Sequence, residues 1–312
     1  MTAAPLPLRF QIGARTLASI QRRMVRVPMA LEDVLDGIQD GRLPALPPLD
    51  RDAHGYQITS LPEASRDAMM RAGGGMIAFV RQRYTRYYAD LAIGHDGWLA
   101  TMSPNARSGM KRKAKKVAAA SGGTLDVRRF RTPDDMTVFH EVARRISART
   151  YQEKLLGSGL PDDAAFLRQM YSMAAADAVR GWLLYIAGEP AAYLYCPVVN
   201  GTVRYEYVGH DPVFNELSPG SVLQMEAMRD LYAEGGAGGE LKRFDFTEGE
   251  GQHKRQFATG GMACLDLLLL RPSLVNRLTI VALGSFDRTT ALGKKTVQKL
   301  GLGSLAKKLR RA

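Results

Sequence analysis

The stretch from Trp182 to Gly209 constrains the fold more than any other part of the chain. Short apolar runs alternate there with tight-turn chemistry: Trp182–Ile186, a break at Gly188-Glu189-Pro190, Ala191–Val198, the dipeptide Asn200-Gly201, then Thr202–Gly209. Asn-Gly between two apolar runs is a strong hairpin signal, because both central residues of its turn need positive φ. Strands joined by turns this short pair antiparallel, since parallel neighbours need a long crossover.

The flanking segments mix helix and strand. Downstream, Leu217-Ser218-Pro219-Gly220 leads into a helix over 221–233, Leu241–Phe246 reads as a strand, 249–258 as a short helix and Met262–Leu270 as an apolar strand. Upstream, Ser103 is a good N-cap and Pro104 suits the first helical position. That helix runs through Lys111-Arg112-Lys113 and Lys115-Lys116 and stops at Gly122-Gly123. Thr124–Phe130 reads as a strand. Residues 134–150 and 161–179 are expected to be helical, with Phe139, Val142, Ala143 and Ile146 near helical spacing. The resulting order is β-α-α-β-β-β-α-β-α-β. Residues 1–75 are less patterned: one or two strands over 8–27, a short helix over 30–40 and a proline-rich linker at 43–48. Gly73-Gly74-Gly75 then precedes a β-like run from Met76 to Leu91.

Composition excludes several classes. With 46% hydrophobic and 24% charged residues, the chain is an ordinary globular protein. Met262–Phe286, its most apolar stretch, is broken by Asp266, Arg271, Asn276 and Arg277, so no membrane span is expected. The N-terminus has charges inside its apolar part and does not read as a signal peptide. Cys196 and Cys264 sit in apolar surroundings without CxxC spacing and are read as reduced core residues of a cytoplasmic protein. No metal-ligand spacing such as HExxH occurs, and no metal is expected. The formal net charge is +12, of which residues 288–312 carry +8 and no acid, leaving +4 for the rest. The basicity is therefore mostly a property of the tail. A nucleic-acid reader would interleave aromatics with these cations, and the tail has no Phe, Tyr or Trp, so no specific nucleic acid is expected.

The element order, together with Ser218-Pro219-Gly220, Asp245, Gly249 and His253-Lys254, resembles the GNAT acyltransferase superfamily over roughly residues 76–270. The stretch Tyr205–Phe257 is most similar to cellulose- and exopolysaccharide-biosynthesis acyltransferases, and more distantly to Fem-type aminoacyltransferases. Those relatives carry Tyr-Lys where this chain has His253-Lys254. The basic segment 103–116 resembles the helix that precedes their fold. The resemblance implies an α/β fold with a mixed, mainly antiparallel sheet flanked by helices. That sheet would splay between the strand near 202–209 and the strand near 241–246. It also implies a small N-terminal accessory lobe over 1–100, an acyltransferase domain over 101–272 and a basic amphipathic tail over 273–312.

Acyl-CoA is the expected co-substrate and an amine the acceptor. An amine attacks a thioester only after losing a proton, so a base is required. Glu206 is the first candidate and His210 the second, on or just after the strand expected beside the thioester. Asp245, Glu248, His253 and Lys254 approach from the opposite side, with Lys254 either bridging Asp245 or touching substrate. The CoA pyrophosphate suits a helix N-terminus, where N–H groups and the dipole favour an anion. Ser218, Gly220, Ser221 and Val222 offer one, although the family's usual Arg/Gln-x-x-Gly-x-Gly/Ala loop is absent.

Residues 147–159 resemble the acceptor-side loop of bacterial ceramide-synthase-like members. In the tail, Leu292, Val297, Leu300, Leu302, Leu305 and Leu309 alternate with basic residues. Anionic bilayers attract such segments by about 1 kcal/mol per basic side chain. The expected acceptor is thus a membrane lipid amine or sphingoid base, reached from the inner face of the cytoplasmic membrane. The alternatives are acyl transfer to a polysaccharide precursor, Fem-type aminoacyl transfer, and a non-catalytic GNAT-like binding module.

Overall fold

In the computed structural model of the protein, residues 2–12, 15–40, 43–150, 159–236, 238–249 and 251–299 are described. They form two compact units, Met1–Arg83 with Cys264–Ala312 and Tyr84–Ala263. The first unit opens with a hairpin of β1 (Ala4–Ile12) and β2 (Arg15–Pro28). After α1 (Leu31–Asp40) comes β3 (Gly55–Pro62), parallel to β2. After α2 (Arg66–Ala72), β4 (Ile77–Asp90) carries the chain into the second unit. There follow α3 (Gly94–Thr101), α4 (Pro104–Ala120), β5 (Asp126–Phe130), α5 (Pro133–Ser147), α6 (Ala164–Ala175), β6 (Val179–Ile186), β7 (Glu189–Val199), β8 (Thr202–Arg204) and β9 (Tyr207–His210). The unit closes with α7 (Pro219–Gly235), β10 (Arg243–Asp245) and α8 (Gln252–Phe257). β11 (Gly260–Leu270) returns the chain to the first unit, where it pairs antiparallel with β3, and α9 (Leu274–Lys299) packs on β1.

In the second unit the sheet is mixed and mainly antiparallel, as expected. β5, β6 and β7 form an antiparallel run, and β7 pairs antiparallel with both β8 and β9. Asn200 and Gly201 hold φ of 51° and 77°, the left-handed pair that the hairpin turn demands. β8 runs parallel to β10 for three residue pairs, and β10 pairs antiparallel with the end of β4. Beyond Arg204, β9 is bonded to β7 instead, so the chain leaves β10 where the splay was expected.

Side chains alternate across this sheet, and each face has its own helices. Trp182, Leu184, Leu194 and Cys196 face a core completed by α3, α4 and α7. Leu183, Tyr185, Tyr193 and Tyr195 face one completed by α5 and α6. The local signals agree with these positions: Ser103 accepts a hydrogen bond from the Ala106 N–H at the start of α4, and Thr132 with Asp135 forms a capping box on α5.

Two expectations need correction. Thr202–Gly209 is not one strand. The pairs Val198↔Val203 and Tyr195↔Tyr207 differ by one in register, so residues 204–206 oppose 196–197 as a β-bulge. The helix expected over 161–179 ends at Ala175, because Asp177 takes positive φ and Val179 already starts β6. In the tail, the part from Leu274 to Lys299 is a single helix. The tail beyond Lys299 and the centre of the acceptor-side loop, 151–158, lie outside the described residues. Among the described residues no helix is long and apolar enough to cross a membrane. Both cysteines are free and buried.

Close packing around β9 makes a stability test possible. A Cβ on Gly209 would lie 2.5 Å from Cε1 of the Tyr193 ring and 2.9 Å from Cγ2 of Thr150. Gly209→Ala is expected to lower stability by about 1–3 kcal/mol, the usual cost of overpacking a filled core. The urea midpoint, with an unchanged slope, measures it.

Candidate active site

The bulge decides where the candidate base sits. One extra residue reverses the alternation, so Tyr205 and Tyr207 do not share a face as strict alternation would require. Tyr205 joins the core on the α7 side, with ring centroids 5.9 Å from Phe244, 6.0 Å from Phe246 and 6.0 Å from His253. Tyr207 meets Phe166 edge-on at 5.6 Å in the other core. Glu206 lies between them and reaches the surface. Desolvation raises its pKa above the ordinary carboxylate range; the nearby Glu248 charge adds to this and Arg204 opposes it.

Asp245, at the end of β10, is 1% exposed and paired with Arg86 of β4, itself 3% exposed. The guanidinium binds both carboxylate oxygens, Nε to Oδ1 at 3.1 Å and Nη2 to Oδ2 at 2.6 Å. Oδ1 also accepts the Thr247 N–H at 2.9 Å, and the Asp245 carbonyl accepts the Tyr205 N–H at 2.9 Å. Lys254 is buried and its ammonium donates to the Glu248 carbonyl at 2.6 Å. It is therefore Arg86, not Lys254, that bridges Asp245. Burial lowers the Lys254 pKa, helped by Arg86 and opposed by Glu248 and Asp245. Burial also lowers that of His253, with the Lys254 charge acting in the same direction.

The second group gathers at the start of α7. Ser218 holds φ 54° and ψ 50°, a left-handed corner that turns a short 3-10 helix, Pro212–Leu217, into α7. Its side chain makes no cap bond. Pro219 has no N–H, and the Ser221 and Val222 N–H groups bond to the Ser218 carbonyl at 3.1 and 3.3 Å. This leaves the Gly220 N–H as the backbone donor at that end. A Cβ on Gly220 would touch only His210 Nδ1, at 3.6 Å, which places His210 beside this turn. The other ring nitrogen, Nε2, lies 2.8 Å from Asn215 Oδ1. Val222 is a core residue. From α4, Lys113 Nζ donates to Ser221 Oγ at 3.3 Å and Lys116 Nζ donates to the Glu216 carbonyl at 2.8 Å.

Residues 104–255 match the family model described as Acetyltransferase (GNAT) domain. This segment is a GNAT acyltransferase domain. Solved structures similar to the whole chain include the C-terminal domain assigned to a lysylphosphatidylglycerol synthetase of Agrobacterium fabrum, at 12% identity and TM-score 0.49 over 81% of this chain and 75% of that one. FemX is similar at 10% identity and TM-score 0.49, over 89% and 91% of the two chains. L-PGS from Bacillus licheniformis is similar at 11% identity and TM-score 0.48, over 90% and 86%. No curated protein matches the sequence. The assignment rests on the segment match.

Within the GNAT domain the expected site residues fall into two clusters. His210, Ser218, Gly220, Ser221 and Val222 gather at the start of α7, whereas Asp245 and Lys254 lie at the β10–α8 end. Glu206 sits in the bulge and is coupled to the second cluster through Glu248. Sequence reasoning missed Arg86, because a cation inside a strand read as β-like carries no sign of its partner. Likewise, nothing in residues 111–118 signals that Lys113 meets Ser221 or that Lys116 meets the Glu216 carbonyl.

The Arg86–Asp245 pair yields a test of what holds the end of β10 in place. Arg86→Ala strands a buried carboxylate and is expected to cost about 3–5 kcal/mol. Arg86→Met with Asp245→Leu should recover part of that loss but not all, because the Thr247 N–H stays without its acceptor. Chemical denaturation of both variants measures the difference.

Proposed function

We propose that the protein transfers an acyl group from acyl-CoA to an amine, with the CoA pyrophosphate at the start of α7. One observation carries this reading: Lys113 is held on the Ser221 hydroxyl in the first turn of α7, with Lys116 on the Glu216 carbonyl just before it. Ammonium groups beside a helix N-terminus repel its dipole unless an anion lies between them. The Gly220 N–H, the Ser221 hydroxyl and the two lysines together fit a pyrophosphate, and Ser218 sets the corner that presents them. CoA supplies the activated thioester. The residues of the chain then hold it and move the proton.

Glu206 is the proposed base. Its raised pKa makes it a better proton acceptor than an ordinary carboxylate, and the bulge sets it at the strand break beside β10. The buried Lys254 is the proposed acid at the opposite wall, and Asp245 acts through its grip on Arg86. The acceptor is proposed to be an amine of a membrane lipid or a sphingoid base. The basic tail 288–312 supports this, as do Leu274, Val275, Leu278 and Val281 of α9, which are 73%, 57%, 61% and 63% exposed along one segment. Together they fit an anionic membrane surface on the cytoplasmic side. Mass spectrometry of lipids and soluble amines from cells with and without the protein tests the acceptor. Acylated lipid amines should disappear with the protein, and loss of acylated soluble amines alone would overturn that part.

Three variants test the site. Since a Cβ at Gly220 meets only His210, Gly220→Val should fold normally yet block close approach of the pyrophosphate. Calorimetry should show CoA affinity reduced by about tenfold or more, and Lys113→Glu with Lys116→Glu should act in the same direction. Glu206→Gln should lower the rate by about 10²–10⁴. It should also remove the ascending limb of the pH profile. In the wild type, that limb is expected above the ordinary carboxylate range, because the base works only above its raised pKa.

A further inference from the structure

Between α3, α4 and α7 the GNAT unit encloses a cavity of 640 Å³ that neither the pyrophosphate nor the base occupies. Its floor is the ring of Trp98, stacked on Tyr232 at 5.1 Å and Phe257 at 5.9 Å. The indole N–H donates to the Phe257 carbonyl at 3.0 Å, so the ring offers the cavity only apolar surface. Met102, Met110 and Met225 form the walls. Thioether chains are flexible and polarizable, and they conform to an irregular or mobile apolar ligand.

The polar lining is lopsided. Arg107, Lys111 and Arg229 stand against a single acid, Glu226. That acid is buried and bonded to Arg229 at 2.5 Å, so these two largely cancel. Arg107 and the exposed Lys111 remain as cations beside an apolar chamber. An amine would be repelled there and an uncharged chain would leave the cations idle. A volume of this size is ordinary for a small-molecule site.

We propose that this cavity binds an anionic amphiphile. An alkyl chain would lie on Trp98 between the methionines, and a phosphate or carboxylate head would meet Arg107 and Lys111. The site lies along α4 and α7 from the lysines assigned to CoA, and it stands or falls independently of that assignment.

The test uses the full-length protein and dodecyl phosphate below its micellar concentration, followed by calorimetry. One-to-one binding is expected. Inorganic phosphate, the head alone, should bind on the order of a hundredfold more weakly, because burial of the chain drives the interaction. Dodecanol, the chain without charge, should bind about tenfold more weakly. Dodecanoate binding as tightly as the phosphate would assign the head contact to charge alone and support the site. Met225→Trp fills the chamber and should weaken dodecyl phosphate by about tenfold. Arg107→Glu with Lys111→Glu, on exposed or half-buried positions, should do the same with an unchanged circular dichroism spectrum. Lys307→Glu with Lys308→Glu should change nothing. CoA should not displace the probe. Wild-type affinity in both the charge-reversed and Met225→Trp proteins would overturn the proposal, as would loss of binding on changing the tail lysines, or one-for-one displacement by CoA.

Discussion

The buried pair between Arg86 and Asp245 is the fixed point of the acyltransferase unit. Two ions removed from water are tolerable only when geometry and further hydrogen bonds satisfy them, and this pair has both. It ties the end of β10 to β4, while the Asp245 backbone holds Tyr205 at the place where β8 ends. From there β10 stops, and the chain continues as β9 on β7 alone. The break between β8 and β9 is thus flanked by a bidentate ion pair joining β10 to β4 and by a one-residue bulge against β7.

Electrostatics at the other end of the cleft follow from packing. α4 and α7 lie side by side over the sheet, and the contact brings Lys113 and Lys116 to the corner made by Ser218. Lys116 meets the Glu216 carbonyl at the end of the 3-10 helix, and Lys113 meets the Ser221 hydroxyl at a helix N-terminus whose dipole disfavours a cation. A CoA pyrophosphate beside them is the proposed reading, consistent with the match of 104–255 to the GNAT family model. The same pair of helices, further along, lines the apolar cavity with its own cations.

Much of this architecture was legible in the sequence because it is written in local chemistry. The Asn200-Gly201 turn, the Ser103-Pro104 start of α4 and the continuous apolar runs of β6 and β7 each specify their own geometry. What stayed hidden depends on long-range pairing. The bulge at 204–206 exists only relative to β7, and nothing in Arg204-Tyr205-Glu206 distinguishes it from a continuing strand. As a result Tyr205 and Tyr207, which strict alternation would put on one face, belong to different cores. Arg86 and Asp245 lie 159 positions apart, and no pattern in either segment announces the pair. Lys254 was an obvious candidate for Asp245 by proximity in sequence. Its own short helix instead directs it to the Glu248 carbonyl.

The central claim is that the N-terminal end of α7, with Lys113 and Lys116, is where the acyl donor is held. A crystal structure of the full-length protein with CoA bound tests it most directly. The account predicts pyrophosphate density within hydrogen-bonding distance of the Gly220 N–H and of both lysine ammonium groups, with the pantetheine arm leading toward Glu206. Pyrophosphate bound elsewhere, with Lys113 still on Ser221 and Lys116 still on the Glu216 carbonyl, would contradict it.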